Sequence, residues 1–287
     1  MILHWLMPEL PEVETTRRGI DAVMTGHRPS HLVIRHPHLR WPIPPELPAL
    51  LADQTVLACE RRGKYLLLRF AHGTQIVHLG MSGSLRRVPA DEAPRLHDHV
   101  DWVFPHATFR LHDPRRFGAV LWHDAASGPI ESHPLLARLG IEPFDPRFDA
   151  AWLHDHFKGR RVAVKQALLA GHAVVGVGNI YASESLFRAR INPRTQAQKL
   201  SLARCQRLFE AIRSTLLDAL ASGGSTLRDY VGASGEPGAY FTIHAAVYER
   251  DGQPCRVCQT PIKRIVQGQR ATYYCPKCQR VKATIRL

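Results

Sequence analysis

CRVCQTPIKRIVQGQRATYYCPKC, residues 255–278, contains two pairs of cysteines with sixteen residues between the pairs and two residues inside each pair. Four thiolates at this spacing can close a tetrahedron around zinc, with each pair on a tight turn. Four cysteines leave no open position for a substrate or water, so the pattern predicts one structural zinc ion. The predicted ligands are Cys255, Cys258, Cys275 and Cys278.

The segment between the pairs predicts the shape that the metal holds. IKRIVQGQRATYY, residues 262–274, is rich in β-branched and aromatic residues and is interrupted near Gln267 and Gly268, which favours two strands joined by a turn. The sequence therefore predicts a small β-hairpin finger. Arg270 lies just beyond the turn, where a finger could insert it into a groove.

Upstream of the finger the apolar periodicity is helical. Residues 201–224 place an apolar face on one side of a helix, with Ser201 as the N-cap and Gly223 as the stop. The predicted face consists of Cys205, Leu208, Phe209, Ile212 and Leu216. VVGVGNIYASESLF, residues 174–187, predicts a glycine turn that leads into a second helix. The N–H groups of its first turn could bind a phosphate, and Asn179 could add a donor. Glycine turns before helices are also common as simple connectors.

The first half of the chain has the character of a β domain. Eight short segments between residues 28 and 123 combine β-branched and aromatic residues, and several alternate, which favours an antiparallel sandwich or barrel. A short helix is expected over residues 8–20, ending at Gly19. Two loops, HLGMSGSL and HDPRRFG, carry Met81, Arg115 and Phe117, which could fill a gap in a base stack or simply belong to the core.

Composition limits the choice of partner. The 287 residues carry a formal net charge of +13, which points to an acidic polymer such as nucleic acid, although a solvated basic surface would look the same. No apolar run is long enough to span a bilayer. The opening MILHWL does not resemble a secretory signal. The isolated Cys59 and Cys205 lie among apolar residues, which indicates buried thiols and a cytoplasmic protein.

The opening stretch MILHWLMPELPEVETTRRG contains two candidate starts, Met1 and Met7. If Met7 is the start and is removed, Pro8 becomes a free secondary amine, a good nucleophile near neutral pH because α-amino groups have pKa values of roughly 8. Attack on a sugar C1′ would give an iminium ion, and the adjacent Glu9 could move protons at the sugar. By itself, however, Pro-Glu is also simply a good helix start.

Taken together, these motifs closely resemble the bacterial formamidopyrimidine-DNA glycosylases, from Met7 to about Cys278. The resemblance is carried by a set of motifs in order along the chain: MPELPEVETTRRG, RRGKYLLL, HLGMSGSLR, HDHVD, DPRRFG, VVGVGNIYASESLF, GGSTLRDY and the cysteine finger. The endonuclease VIII branch is a poorer match. The resemblance implies an α+β multidomain fold, with an N-terminal antiparallel β-sandwich flanked by helices, then a helix-two-turns-helix domain with the C-terminal zinc finger.

The resemblance also implies an activity and a set of roles. The family excises oxidised purines from double-stranded DNA and cleaves the resulting abasic site by β,δ-elimination. Pro8 matches the nucleophile, Glu9 the proton donor to the sugar, Lys64 the lysine of β-elimination and Arg270 the arginine of δ-elimination. DNA contacts are implied for His97, Arg115, Lys165 and Asn179, and Met81, Arg115 and Phe117 match the side chains that fill the place of the flipped base. Residues 223–241 match the loop that closes over the damaged base.

The expected organisation is a leader (1–7) absent from the mature enzyme, a catalytic sandwich (8–141), a linker (142–150), a helix-two-turns-helix domain (151–244) and a finger with a short dispensable tail (245–287). We expect a monomer in the bacterial cytoplasm, associated with the nucleoid and not with a membrane.

Two alternative functions remain. A retained leader would leave a non-catalytic protein that binds damaged DNA. A general zinc-ribbon binder would explain the charge and the cysteines but not the opening motif.

Overall fold

A computed structural model describes residues 8–89, 91–224 and 239–280 of the chain. These residues form two units. The first unit contains the described residues up to Arg138 and those from Leu220 to Tyr240, and the second unit contains Leu139–Ala219 and the described residues from Phe241 onward. The leader, most of the predicted lesion loop and the last seven residues lie outside the described ranges.

The first unit is a β-sandwich. Its two antiparallel sheets have the strand orders β1-β6-β7-β5 and β2-β3-β4-β8. All eight predicted strands are present, and the two separate sheets decide for a sandwich over a barrel. The elements are α1 (Leu10–Met24), β1 (His31–Ile34), α2 (Leu47–Leu51), β2 (Ala58–Arg62), β3 (Tyr65–Phe70), β4 (Gly73–His78), β5 (Ser84–Val88), β6 (Asp98–Phe104), β7 (Ala107–His112) and β8 (Ala119–Asp124).

The core of the first unit lies between the sheets and under α1. Alternate side chains of β3, such as Leu66 and Leu68, are buried in it, as the period of two requires. Trp102 of β6 donates its indole N–H to Oε1 of Gln75 in β4, at 2.8 Å, and both residues are buried. This hydrogen bond links the two sheets and satisfies the one polar atom of the largest core side chain.

The first helix is longer than predicted. We expected α1 to end at Gly19, but it continues to Met24. Ile20 and Met24 extend the apolar stripe begun by Val13, and all three are fully buried. This burial outweighs the roughly 1 kcal/mol that glycine costs inside a helix. The chain leaves the helix at Gly26, whose φ of 82° is the left-handed conformation that glycine adopts freely.

The remaining elements are helical apart from the finger. Cys205, Leu208, Ile212 and Leu216 are buried on one face of α6, as the periodicity predicts. The predicted glycine turn precedes α5, with Gly178 as its N-cap. These elements are α3 (Ala150–Phe157), α4 (Val164–Leu169), α5 (Asn179–Arg188), α6 (Leu202–Ala221), α7 (Tyr240–His244), β9 (Lys263–Gln267) and β10 (Arg270–Tyr274).

The segment predicted as a linker, residues 142–150, lies within the second unit. Phe148 is buried there, and its ring meets that of Phe209 edge-on, with 5.3 Å between the centroids. Ile141, just before the segment, forms a parallel bridge with Val174. The two prolines and the charges of this segment suggested a linker, but Phe148 packs against Phe209. The predicted domain limits themselves stay a prediction.

Among the helices of the described ranges, none combines the length and the apolar composition needed to cross a membrane.

One outer face of the sandwich carries a buried ion-pair cluster. Both carboxylate oxygens of Asp101 accept hydrogen bonds from Arg35 and from Arg110, at 2.6–2.9 Å. Burial alone would raise the pKa of Asp101, but the two guanidinium groups outweigh it and hold the pKa below its ordinary value. The carboxylate therefore stabilises the fold above the pKa of the unfolded chain, near ~4, and this contribution is lost as the pH falls through the lower folded pKa.

We predict that Asp101→Asn lowers the free energy of unfolding by about 3 kcal/mol at pH 7, because it leaves buried arginine charge without its carboxylate. The difference from the wild type should shrink below about pH 4 as the wild-type carboxylate itself takes up a proton. Urea denaturation followed by tryptophan fluorescence measures the free energy of unfolding of both proteins at each pH. Asp155→Asn is the control, since the Asp155–Lys158 pair is exposed. An equal difference at pH 7 and pH 3 would contradict the assignment.

Candidate DNA-binding and catalytic site

Pro8 and Glu9 stand at the start of α1. Both are buried, and Glu9 is the N-cap of the helix. A capping box closes this end, because the Glu9 side chain accepts from the Glu12 amide while Oε2 of Glu12 accepts from the Glu9 amide at 2.9 Å. Pro8 therefore lies at the positive end of the helix dipole.

Lys64 lies in the turn between β2 and β3, directly after Gly63, whose φ is 57°. Arg61 fastens this turn to α1: its Nε donates to Glu14 at 3.1 Å and its Nη1 to the Gly63 carbonyl at 2.9 Å. The structure thus connects the turn that bears Lys64 to the helix that begins after Pro8. The three predicted catalytic positions of the first unit, Pro8, Glu9 and Lys64, belong to one connected arrangement.

His78 is a candidate that the sequence reasoning missed. Burial, with the positive charges of Lys64 and Arg40, lowers the pKa of its imidazole to about 4, so the ring is neutral at pH 7. Its Nδ1 accepts from the Gly80 amide at 3.0 Å, which leaves the proton on Nε2 as a hydrogen-bond donor. The signal in the sequence was its place at the end of a strand, just before the loop of Met81.

The two loops with the predicted wedge residues contact each other through glycines. A Cβ on Gly80 would lie 2.5 Å from the Gly118 amide nitrogen, and a Cβ on Gly118 would lie 2.7 Å from the His78 carbonyl. Phe117 is 42% exposed, so it is not a core residue, whereas Met81 is partly buried. The guanidinium of Arg115 lies over the Phe117 ring, 4.9 Å from its centroid. The structure brings the three residues onto two joined loops.

His97 adjoins the same loops. Its φ of 76° is left-handed, a conformation that costs energy for a non-glycine residue and often marks a functional position. The His97 carbonyl accepts from the Asp113 amide at 3.0 Å. Asp113 begins the loop of Arg115 and Phe117, so His97 and the wedge residues share one anchor point.

Lys165 has a different environment from the one expected of a phosphate contact. Its side chain is fully buried, and its ammonium donates to Asn179 Oδ1 at 2.7 Å, to Thr272 Oγ1 at 2.8 Å and to the Ala271 carbonyl at 3.1 Å. In this geometry the ammonium is enclosed by protein acceptors, and its predicted phosphate contact stays a prediction. Lys165 instead joins α4 and α5 to the finger strand β10.

Asn179 belongs to the same network. It is partly exposed at the first position of α5, but its Nδ2 donates to the Tyr248 hydroxyl at 3.1 Å and to the Ala271 carbonyl at 3.0 Å. The side chain thus connects the glycine turn to the finger. Its predicted DNA contact stays a prediction.

Glu184 is a second residue that the sequence reasoning missed. It is fully buried on α5, and its carboxylate accepts from the amides of Ala246, Val247 and Tyr248 at 2.8–2.9 Å. Burial raises the pKa of Glu184 against the opposing effect of these amides. It holds the segment that leads into the finger. The signal was a glutamate on the apolar face of the helix in ASESLF.

Arg270 is presented by the finger as predicted. Gly268 and Gln269 both have positive φ, 53° and 63°, which is the conformation of a tight hairpin turn. Arg270 is the first residue of β10, pairs with Gln267 and is exposed. The hairpin therefore ends in an accessible guanidinium.

The four cysteine sulfurs form a cluster that fits a metal ion. All lie within 4.8 Å of one another, with 3.9 Å between the sulfurs of Cys255 and Cys278 and 3.4 Å between those of Cys258 and Cys275. A tetrahedral zinc with bonds of ~2.3 Å requires sulfur–sulfur distances of about 3.8 Å. The donor set is therefore that of a closed structural zinc site.

The sandwich, the helices before the finger and the four-cysteine hairpin together have the architecture of the zinc-finger DNA glycosylases. Three family models match the chain in order: the formamidopyrimidine-DNA glycosylase N-terminal domain over residues 7–120, the formamidopyrimidine-DNA glycosylase H2TH domain over residues 139–231, and the zinc finger found in FPG and IleRS over residues 252–281. The chain belongs to the formamidopyrimidine-DNA glycosylase family, and its finger carries one structural zinc ion.

Individual relatives agree over nearly the whole chain. The formamidopyrimidine-DNA glycosylase of Bordetella pertussis is 78% identical over 274 residues, which cover 96% of this chain and 100% of the relative. The crystal structure of the MutM (FPG) protein from Thermus thermophilus is 38% identical, with a TM-score of 0.85, and covers 95% of this chain and 98% of its own. The Lactococcus lactis Fpg in complex with abasic-site DNA is 29% identical, with a TM-score of 0.88. The match covers 95% of this chain and 100% of the Lactococcus chain.

We predict that Cys278→Ser removes the zinc and weakens DNA binding while the first unit stays folded, because the finger is part of the second unit. Zinc affinity should fall by more than the roughly 10–100-fold that loss of an outer-shell partner costs. Metal analysis after dialysis and the thermal unfolding of the sandwich measure the two effects. Cys205→Ala, a buried cysteine outside the cluster, should retain one zinc per chain. Full zinc occupancy in Cys278→Ser would refute the ligand assignment.

Proposed function

We propose that this protein removes oxidised purines, such as 8-oxoguanine and formamidopyrimidines, from duplex DNA and then cleaves the strand at the abasic site. The observation that carries the proposal is Pro8, buried at the positive end of a capped helix, directly after a methionine and directly before Glu9. The family membership and the Lactococcus complex with abasic-site DNA support the same conclusion.

The proposed chemistry begins with the Pro8 nitrogen. Its lone pair attacks C1′ of the damaged nucleotide, the bond from C1′ to the base breaks, and the base leaves with the bonding electrons. The nitrogen then gives up its N–H proton, which balances the proton that the departing base takes up. Glu9 supplies a proton to the ring oxygen as the sugar opens. The resulting iminium ion has no N–H proton to lose, so it stays a strong electron sink and makes the C2′ proton acidic.

Two cations are assigned to the later steps. Lys64 serves β-elimination, in which the 3′ phosphate leaves, and Arg270 serves δ-elimination, in which the 5′ phosphate leaves. Support for Lys64 comes from the link of its turn to α1, and support for Arg270 from its exposed position at the end of the hairpin. Neither role requires the zinc ion to touch the substrate, because four cysteines complete its coordination.

DNA is held through charge and through loop residues. The net charge of +13 attracts the phosphate backbone. We assign the wedge to Met81, Arg115 and Phe117, which would occupy the space left by the flipped nucleotide, and backbone contacts to His97 and Asn179. We place the enzyme as a monomer in the bacterial cytoplasm, on the nucleoid.

The leader decides whether the chemistry can occur. The N-terminal family model begins at residue 7, which supports Met7 as the start and Pro8 as the mature N-terminus. With residues 1–7 retained, the Pro8 nitrogen would be a tertiary amide without a nucleophilic lone pair. The protein would then bind damaged DNA without processing it.

We predict that protein beginning at Pro8 is trapped on abasic-site DNA by borohydride, since reduction of the iminium ion fixes the enzyme to the sugar. The 287-residue form, verified by mass, should bind the same DNA without being trapped. Gel analysis of the cross-linked product measures both. Equal trapping of the two forms would exclude Pro8 as the nucleophile.

We predict that Glu9→Gln slows release of 8-oxoguanine by about 100-fold or more, the range expected for loss of a general acid. Lesion binding should stay near the wild type, because the glutamine oxygen can still accept from the Glu12 amide and cap α1. Trapping at a preformed abasic site should suffer less. Glu131→Gln changes an exposed carboxylate of the same unit and serves as the control. Wild-type base release by Glu9→Gln would rule out the role given to Glu9.

A further inference from the structure

Asp113 is a buried carboxylate for which the proposed chemistry has no use. It is 0% exposed, and its Oδ2 accepts from the Gly118 amide at 2.7 Å. Within the described residues, its Oδ1 has no hydrogen-bond partner. Burial raises the pKa of Asp113 against the opposing effect of the Gly118, Arg115 and Arg116 amides. A carboxylate is expensive to bury in this way, so its place in the fold requires a reason.

The backbone of Asp113 forms hydrogen bonds to several neighbouring segments. Its amide donates to the His97 carbonyl at 3.0 Å, and its carbonyl accepts from the Arg116 amide at 3.1 Å. Nε2 of His99 lies 2.9 Å from the same carbonyl. Asp113 therefore connects the end of β7, the residues before β6 and the loop of Arg115 and Phe117.

Gly118, which the carboxylate holds, is also the contact between the two wedge loops. The Gly118 carbonyl accepts from the Arg40 amide at 3.1 Å. A Cβ on Gly80 would lie 2.5 Å from the Gly118 amide nitrogen, and a Cβ on Gly118 would lie 2.7 Å from the His78 carbonyl, so the two loops meet backbone to backbone. Met81 follows Gly80, and Phe117 precedes Gly118. Fixing Gly118 therefore fixes both loops together.

We propose that Asp113 is the positioning residue of the wedge: its buried carboxylate, through Gly118, sets the two loops that carry Met81, Arg115 and Phe117. This inference rests on the wedge role proposed above. Asp113 touches neither substrate nor reacting atoms. It acts by keeping exposed side chains in the one arrangement that can enter the base stack, and misplacement by about 1 Å can cost about 100-fold in rate.

The test compares two variants of nearly equal size. Asp113→Asn keeps an oxygen that can accept from the Gly118 amide, whereas Asp113→Leu has the same shape and no acceptor. Asp124→Ala is the matched control, since Asp124 accepts from the Ala126 amide in an exposed turn of the same unit. Phe117→Ala, alone and combined with Asp113→Leu, reports on the wedge itself. Melting temperatures establish that each variant is folded.

Three measurements are made on the Pro8-initiated enzyme. They are 8-oxoguanine release, the fluorescence of 2-aminopurine placed next to the lesion as a report of unstacking, and borohydride trapping at an abasic site. We expect Asp113→Leu to lose about tenfold or more in base release and most of the fluorescence change, with trapping within about threefold of the wild type. Asp113→Asn and Asp124→Ala should stay near the wild type. The double variant should be no slower than Phe117→Ala, because both changes remove the same wedge.

Several outcomes would overturn the proposal. Wild-type base release and fluorescence in Asp113→Leu would do so, as would equal losses in the Asn and Leu variants or additive losses in the double variant. Failure of Asp113→Leu to fold would make Asp113 a requirement of the fold and also overturn it. Failure of the proposed function is distinguishable, because the wild-type enzyme would then release no base and give no trapped product.

Discussion

The finger depends on one buried ammonium group. Taking the Lys165 charge out of water costs several kcal/mol unless acceptors surround it, and three of its acceptors come from Asn179, Ala271 and Thr272. Two of these belong to β10, so the hairpin can occupy only the place that satisfies the ammonium. The zinc ion shapes the finger internally, and Lys165 fixes where that finger sits on α4 and α5. Removing the metal would therefore disrupt the internal structure of the finger, whereas removing the lysine would disrupt its packing on α4 and α5.

The same arrangement recurs wherever an exposed side chain is assigned a role. Glu184 lies buried beneath the segment that leads to the finger, and Asp113 lies buried beneath the wedge loops. Exposed loops move readily, and a catalytic or binding group must be held to within a fraction of an ångström. A buried carboxylate that accepts from fixed backbone amides supplies that restraint, because breaking such a bond leaves a buried polar group unsatisfied. The left-handed backbone of His97 and Arg116, on either side of Asp113, is strain that such a restraint can hold.

The sequence predicted the parts of the fold that follow from local patterns. Cysteine spacing predicted the metal cluster, alternation predicted the strands, and the apolar face of residues 201–224 predicted α6. The sequence-based prediction failed where residues distant in the chain determine the local structure. The end of α1 depends on a core pocket for Met24, and the burial of Phe148 depends on Phe209. The buried environments of Lys165, Glu184 and Asp113 are formed by residues that are distant in the chain. They therefore cannot be predicted from the few residues around each position. For Lys165, family resemblance implies a phosphate contact, and the protein acceptors around its ammonium were not foreseen from the sequence.

At the N-terminus, the peptide bond before Pro8 would affect the proposed chemistry but not the fold. α1 is capped by side chains, those of Glu9 and Glu12, and not by anything that Pro8 donates. The helix can therefore form whether Pro8 is a free amine or the second half of a peptide bond. The reactivity of Pro8 cannot survive that change, because amide resonance removes the lone pair from the nitrogen. In the proposed mechanism, residues retained ahead of Pro8 would therefore remove the nucleophile without any change in the fold of the described residues. A free amine at Pro8 is then a requirement of the proposed chemistry that is separate from the fold.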